Sequence, residues 1–188
     1  FGLNALQQAA ARSALQSWAS VADIEPYELT ETSSNVGAVR FTWTTDQSQG
    51  AAWGWASYPW NQAPGGDISI HASTGVYDSS AEPWTSGSYN FSALMHEVGH
   101  ALGLKHPFDG SLVLPLSQDN EQYTVMAYDP APHSLYYTFD GQYWTGYYVR
   151  PETPMVLDIA AIQYIYGANT TYHTGNDTYT FDPAKPFL

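Results

Sequence analysis

Apolar side chains near the beginning of the chain recur at helical intervals. Over residues 5–19 they stand four residues apart, which predicts an α-helix with a buried stripe of Leu6, Ala10, Ala14 and Trp18. Asn4 is the expected N-cap of this helix. Gln7 follows it by three residues, where its side chain completes a capping box.

Two further helices are predicted, one in the middle of the chain and one near its end. The middle helix runs from about Asn90 to Leu104. The last helix begins with Thr153 as cap and Pro154 at its first position, and Gly167 follows its end. Proline suits the first helical turn because the N–H group that it lacks would have no partner there.

Alternation of apolar and polar residues predicts strands around residues 27–31, 38–44, 51–58 and 67–71. In the second of these, Val39, Phe41 and Trp43 face one way, which is typical of a half-buried strand. Residues 72–89 are rich in Ser, Gly and Pro and indicate a surface loop. Residues 107–153 show no long periodic run, and segments of this kind are commonly functional.

The composition narrows the class of protein. A length of 188 residues favours one domain. Eighteen acidic residues against five Lys and Arg give a formal net charge of −13, which argues against nucleic acid and anionic lipid, since both are bound by basic surfaces. No apolar run approaches the roughly 18 residues of a membrane span. The chain has no cysteine, so a transition metal would need histidine and carboxylate ligands.

The middle predicted helix contains the segment His96-Glu97-Val98-Gly99-His100. Because residues four apart share a helical face, both imidazoles can reach the same zinc ion, with Glu97 beside it to transfer protons. A catalytic zinc site usually has three protein ligands and one open position. One more ligand is therefore expected.

His106 is the candidate for the third ligand. In a continued helix it would lie about 240° around the axis from His100 and about 9 Å further along, facing away from the metal. Gly103 stands between the two, and glycine adopts left-handed backbone angles without strain. A turn at Gly103 would bring His106 back to the zinc.

Together these residues form the pattern H-E-x-x-H-x-x-G-x-x-H, which resembles that of the metzincin zinc proteases. Met126 matches the methionine turn of the same clan. Three details resemble the serralysin family in particular: Pro107 after the third histidine, Tyr128 two residues after the methionine, and the sequence of residues 158–169. The resemblance covers residues 1–180.

This resemblance implies an α+β metzincin fold, in which three main helices and a twisted mixed β-sheet surround an active-site cleft. It implies one zinc ion held by His96, His100 and His106, with the Tyr128 hydroxyl as a further ligand that leaves when substrate binds. The implied reaction is hydrolysis of peptide bonds, with Glu97 as general base and Tyr128 stabilising the oxyanion.

Asp158 lies on the apolar stripe of the last predicted helix, three residues after Met155 and four before Ile162. A carboxylate on a buried face is costly unless it accepts hydrogen bonds. The resemblance implies that Asp158 accepts them from the backbone of the methionine turn. Asp158 and Met126 are therefore expected to support the site without reacting.

The remaining histidines are expected in surface or packing positions: His71, His133 and His173. One zinc ion is expected, and a second would favour a bacterial matrixin-like protease over a serralysin-like one. A third hypothesis is a peptide-binding module that keeps the metal with little turnover. The intact Glu97 argues against that hypothesis, because a binder needs no general base.

The resemblance implies that the substrate lies extended along an exposed strand edge. Because hydrogen bonds between backbones depend little on the substrate's side chains, broad specificity is expected. That edge consists of Ala51, Ala52, Trp53, Gly54, Trp55 and Ala56. Aromatic residues that follow Met126 are expected to wall the pocket beyond the scissile bond. They are Tyr136, Tyr137, Phe139, Tyr143 and Trp144.

The composition changes near the carboxyl end, which divides the chain into a catalytic domain, residues 1–169, and a tail, residues 170–188. Residues 175–182 resemble the entrance to the calcium-binding β-roll of serralysins, so calcium is a candidate ligand of the tail. The resemblance implies secretion by a bacterium and protein or peptide substrates, with a proteinaceous inhibitor as a candidate partner. A monomer is expected. Phe1-Gly2 at the start, without a leader, suggests a mature or excised piece.

Overall fold

A computed structural model describes residues 2–46, 52–59, 66–71, 83–178 and 180. Within these residues three helices and five strands follow one another. They are α1 (Ala5–Val21), β1 (Phe41–Thr44), β2 (Gly54–Ala56), β3 (Ile68–His71), α2 (Tyr89–Ala101), β4 (Leu135–Phe139), β5 (Trp144–Tyr148) and α3 (Val156–Tyr166). The architecture is α+β, as expected from the sequence. None of the described helices is both long and apolar enough to cross a membrane.

The capping box of α1 forms as predicted. Asn4 Oδ1 accepts a hydrogen bond from the Gln7 N–H at 3.0 Å, and the Asn4 N–H donates to Gln7 Oε1 at 2.9 Å. The predicted stripe is buried except at Leu6, which is 77% exposed, so the prediction was wrong at that position. Gln7 takes the buried place beside it, because its amide oxygen also accepts from Trp43 Nε1 at 3.3 Å.

The three-stranded sheet has the order β1–β3–β2. β1 runs parallel to β3, with Phe41 opposite Ile68, and β2 runs antiparallel to β3, with Gly54 opposite Ile70. The sheet is therefore mixed, and in the described part of the chain β2 forms one of its edges. α2 packs on β2 and β3, and α1 packs on α2. The active-site helix is thus enclosed between α1 and the sheet.

Two expectations about strands were wrong. Residues 27–31 form no strand. Conversely, residues 107–153 include the hairpin of β4 and β5, in which Leu135 lies opposite Tyr148. The hairpin escaped prediction because apolar and aromatic residues occupy both of its faces, so the sequence does not alternate. Most of the loop predicted over residues 72–89 lies outside the described residues.

The start of α3 lies later than Thr153 and Pro154 suggested, whereas its end at Gly167 was predicted correctly. Met155 is the N-cap, and its N–H donates to Asp158 Oδ2 at 2.8 Å. This bond from within the first turn fixes the helix start, and Pro154 immediately precedes the cap. Gly167 has φ of 84°, a value at which glycine is favoured.

Close packing around Gly99 fixes the position of α2. Trp18 of α1 is fully buried, and its Nε1 donates to the Met95 carbonyl of α2 at 3.2 Å. Gly99 faces Trp18 on one side and Met126, which follows α2 in the chain, on the other. A side chain at position 99 would therefore separate the active-site helix from both neighbours.

Replacing Gly99 by alanine is expected to destabilise the domain. The new Cβ would lie 2.5 Å from Met126 Sδ and 3.2 Å from Trp18 Cζ2. Overpacking of this kind costs about 1–3 kcal/mol, and a gain in helix propensity of about 1 kcal/mol offsets only part of a cost in the upper range expected for so close a contact. The free energy of unfolding in urea measures the net loss.

The matched control is Gly175→Ala in the exposed tail, where the nearest heavy atom to the new Cβ is 3.9 Å away. Its effect should stay within about 0.5 kcal/mol. Equal free energies of unfolding for Gly99→Ala and the unaltered protein would contradict this prediction, since Met126 and Trp18 would then move aside without loss of stability.

Candidate active site

The structure brings the three motif histidines together. His96 and His100 lie on one face of α2, and the chain turns through Gly103, whose φ is 105°. The turn returns His106 to that face: its Nε2 lies 3.2 Å from His96 Nε2 and 3.1 Å from His100 Nε2. A glycine at position 103 is needed because residues with a Cβ rarely adopt such a φ.

Hydrogen bonds to the outer ring nitrogens fix how each imidazole is protonated. His96 Nδ1 donates to the Val125 carbonyl at 2.9 Å, His100 Nδ1 to the Leu104 carbonyl at 2.7 Å, and His106 Nδ1 to the Asp109 carboxylate at 2.7 Å. Because these oxygens accept and do not donate, the proton of each neutral ring sits on Nδ1. Each Nε2 therefore presents a lone pair to the other two.

This donor set fits zinc. Burial lowers the pKa of His96 to about 3 and that of His100 to about 4, so both rings are neutral at neutral pH, as metal ligands must be. Tetrahedral ligation with Zn–N bonds of about 2.0–2.1 Å separates nitrogens by roughly 3.3 Å, close to the distances found. Among the described residues, these histidines are the one cluster of three or more metal-ligating side chains.

Glu97 lies beside the histidines and is only 7% exposed. Its Oε2 has no hydrogen-bond partner within the described chain, and burial raises the pKa of this carboxyl to about 8. An unpartnered buried carboxyl is costly, and a nearby cation would stabilise its ionised form. The environment of Glu97 therefore also suits a metal centre.

Tyr128 reaches the same point from the segment that follows Met126. Its hydroxyl donates to His106 Nε2 at 2.9 Å, and its ring stacks on that of His96 with centroids 5.6 Å apart. Burial and the charge of Glu97 raise the pKa of the phenol, so it stays protonated. The tyrosine is 66% exposed and faces the open side of the site.

Asp158 supports the site through the backbone. Its carboxylate accepts from Thr124 Oγ1 at 2.5 Å, the Val125 N–H at 2.8 Å and the Met155 N–H at 2.8 Å. The Val125 carbonyl in turn accepts from His96, so α3 controls the orientation of the first histidine. Burial raises the pKa of Asp158 to about 6 despite these three bonds.

Sequence reasoning missed the groups that hold the loop of the third histidine. Asp109 accepts from His106, and Phe108 stacks on the His106 ring at 4.9 Å. Lys105 Nζ donates to the carbonyls of His106, Asp109 and Leu112 at 3.3, 2.6 and 2.8 Å. The spacing of three residues between His106 and an acid was the available signal.

Tyr58 was also missed. Its ring meets that of His100 edge-on, with the centroids 5.7 Å apart. No motif marks it, because it lies 42 positions before His100 in the sequence and reaches the histidine only through the fold.

A cleft of about 450 Å³ opens beside the histidines. It runs along α2 from His96 and Glu97 toward the helix start, between the β2 segment and residues 125–128, and Glu121 and Arg150 line its other end. Of the expected strand edge, residues 52–54 line the cleft, Trp55 and Ala56 continue β2, and Ala51 lies outside the described residues.

The aromatic residues expected to wall the pocket beyond the scissile bond do not line this cleft. The β4–β5 hairpin contributes none of the residues that line the cleft, because its two strands pair with each other and are exposed along their whole length. The residues concerned are Tyr136, Tyr137, Phe139, Tyr143 and Trp144.

The other histidines occupy packing or surface positions, as expected. His71 is buried, and its ring nitrogens face the carbonyl oxygens of Ala52 and Asp46. His133 and His173 are exposed.

The fold and the three-histidine site define a metzincin-type metallopeptidase domain. Residues 4–137 match the Peptidase_M10 family, described as Matrixin, and the chain belongs to that family. It is 33% identical to serralysin of Proteus mirabilis over 97% of this chain and 38% of the relative. It is 35% identical to serralysin A of Dickeya chrysanthemi, over 95% and 36%. It is 31% identical to metalloprotease AprA of Pseudomonas entomophila, over 94% and 36%.

Similarity to these relatives shows that the chain is a serralysin-type metzincin. The chain spans less than two fifths of the length of each of them. Metallopeptidases of this family use zinc, and the histidine cluster is the candidate site for it. The use of zinc by this family thus agrees with the three Nε2 lone pairs that the histidines present.

Replacing Asp109 by alanine is expected to weaken zinc binding about 10- to 100-fold, because the carboxylate orients the His106 ring and increases its basicity. Competition with a chromophoric chelator measures the affinity. Asp23→Ala, which removes an exposed carboxylate from the end of α1, should leave the affinity unchanged. Equal zinc affinity of Asp109→Ala and the unaltered protein would show that Lys105 and Phe108 suffice to hold the loop.

Replacing Asp158 by asparagine is expected to cost about 1–3 kcal/mol of stability, because an amide cannot accept from all three of its present donors and leaves a buried N–H or hydroxyl group unpaired. Thermal unfolding with and without zinc measures the loss. Asp129→Asn is the control, since Asp129 is exposed. Unaltered stability would rule out the bracing role of Asp158.

Proposed function

We propose that this domain hydrolyses peptide bonds in extended protein substrates, with zinc held by His96, His100 and His106. The observation that carries the proposal is the meeting of three imidazole lone pairs beside the buried, unpartnered carboxyl of Glu97. His96 and Glu97 line a cleft large enough for a substrate side chain.

Bound zinc supplies a Lewis acid that polarises a carbonyl and lowers the pKa of water toward about 7. In the proposed mechanism, Glu97 accepts a proton from the attacking water and then delivers it to the nitrogen of the leaving amine. The Tyr128 hydroxyl, released from His106 Nε2, donates a hydrogen bond to the developing oxyanion. His96 and His100 remain neutral and keep their orientation through the Val125 and Leu104 carbonyls.

The substrate backbone is proposed to pair with β2, which has β3 on one side and forms a sheet edge in the described structure. Residues 52–54, just at and before this strand, line the cleft beside Glu97. Trp53 Nε1 donates to Asn90 Oδ1 of α2 at 2.8 Å, which holds this segment against the active-site helix. Because backbone pairing is independent of side chains, broad specificity is expected.

The domain boundary after residue 169 is a further proposal. Asn169 ties the end of the domain to α1, since its Nδ2 donates to the Ala19 carbonyl at 2.7 Å. Residues 170–178 are exposed and form no strand. Calcium binding by this tail, secretion from a bacterium, a monomeric state and a proteinaceous inhibitor stay predictions, supported by the resemblance to serralysins.

Within the same family, the alternative of a matrixin-like protease with a second zinc ion is distinguished by metal content. It would require a second zinc ion, whereas the described residues contain one cluster of three ligands. The binding-module alternative is distinguished by turnover, since it predicts no hydrolysis by the zinc-loaded protein.

Glu97→Ala is expected to reduce casein hydrolysis about 100- to 10,000-fold while one zinc ion per chain stays bound. A zinc chelator should abolish hydrolysis by the unaltered domain. Glu25→Ala, at an exposed position before the sheet, serves as control and should retain activity. Loss of zinc from Glu97→Ala would contradict the assignment of Glu97 as a general base that does not hold the metal. Failure of the zinc-loaded protein to cleave any peptide in a library would refute the proposed peptidase activity.

A further inference from the structure

The cleft beside the metal site extends a defined distance along α2. Its floor passes from His96 and Glu97 over Ser92 and Ala93 to Tyr89, seven residues earlier than His96 and therefore about 10 Å along the helix. Because Ser92 and Ala93 are small, the cleft stays open over this length. Its walls include the apolar side chains of Trp53 and Val125. A long side chain with an apolar body fits this shape.

An ion pair lies at the far end of the cleft. Arg150 Nη1 donates to Glu121 Oε1 at 2.7 Å, and the guanidinium lies 5.3 Å from the ring centroids of Tyr89 and Tyr148. These contacts hold the guanidinium in place. Glu121 is 7% exposed in its side chain and Arg150 18%, so the arginine is the more accessible partner.

The arginine has hydrogen-bonding capacity to spare. A guanidinium has five N–H donors, and in the described chain Glu121 is the hydrogen-bond acceptor for one of its nitrogens. The Glu121 Oε2 atom is buried and does not reach the cleft surface. What the end of the cleft offers to a substrate is therefore a set of N–H donors.

The charges around the cleft select among possible acceptors. Arg150 is paired with Glu121, and the net charge of −13 opposes entry of a carboxylate. A lysine or arginine side chain offers no acceptor to the guanidinium. A neutral acceptor on an apolar body remains, and tyrosine combines the two in one rigid side chain.

We infer that the Arg150–Glu121 pair ends the pocket for the side chain that follows the scissile bond and makes the enzyme prefer tyrosine there. This inference rests on the proposed peptidase function. It adds one preferred side chain to the otherwise sequence-independent pairing along β2.

The test compares two peptides that differ by one hydroxyl group, with tyrosine or phenylalanine after the scissile bond. Cleavage by the zinc-loaded domain should show kcat/KM about tenfold or more higher for tyrosine, the order expected for a hydrogen bond to a charged group. In the double variant Glu121→Met, Arg150→Met the ratio should fall to about 1. Both partners are replaced because removal of one would leave a buried charge unpaired.

The matched control removes an ion pair far from the cleft. Arg12 and Glu28 form an exposed pair with an Nη2–Oε1 distance of 2.6 Å, and Arg12→Met, Glu28→Met should leave the tyrosine-to-phenylalanine ratio unchanged. Thermal unfolding and zinc content verify that both double variants are folded and loaded.

The outcomes separate the inference from the function on which it rests. A ratio near 1 in the unaltered domain, with both peptides cleaved, would overturn the inference and leave the peptidase intact. A high ratio that survives in the double variant would assign the preference to other residues. A preference for glutamate or lysine over tyrosine would also overturn the inference, since one charge of the pair would then dominate. Failure to cleave either peptide or any library peptide would overturn both proposals.

Discussion

The site depends on keeping three imidazole lone pairs close together. At separations of 3.1–3.2 Å the Nε2 atoms of these neutral rings repel each other unless a cation lies between them. The outer nitrogens prevent the rings from turning away, because each is bonded to an oxygen held by another part of the chain. Folding therefore brings together donors that repel each other, and the free energy of metal binding offsets that repulsion.

Each ligand is held by a different structural device. His96 depends on α3, because Asp158 fixes the backbone of the Val125 segment to which His96 is bonded. His100 is held by the turn after α2, where the Leu104 carbonyl accepts its proton. His106 depends on its own loop, which Lys105 ties together through three carbonyls. The supports of His100 and His106 are local in sequence, whereas that of His96 comes from residues 29 and more positions away, so the first ligand depends on the fold of the whole domain.

The motif was predictable because its chemistry is local. The four-residue spacing of His96 and His100 and the turn at Gly103 follow from helix geometry alone, and the structure places them accordingly. Asp158 was predictable because a buried carboxylate requires donors. The cleft was not predictable, because Glu121 and Arg150 are 29 positions apart and meet only through tertiary structure. The β4–β5 hairpin was missed because aromatic residues on both faces abolish the alternation that identifies strands.

Arg150 connects the β4–β5 hairpin with the far end of the cleft. The guanidinium rests between Tyr148 at the end of β5 and Tyr89 at the start of α2, and it bonds to Glu121. Among the described helices and strands, β4 and β5 pack chiefly on each other, and this residue connects the hairpin to the start of α2. The same side chain lines the far end of the cleft. The exposed aromatic hairpin and the far end of the cleft are therefore connected through one ion pair, Arg150–Glu121.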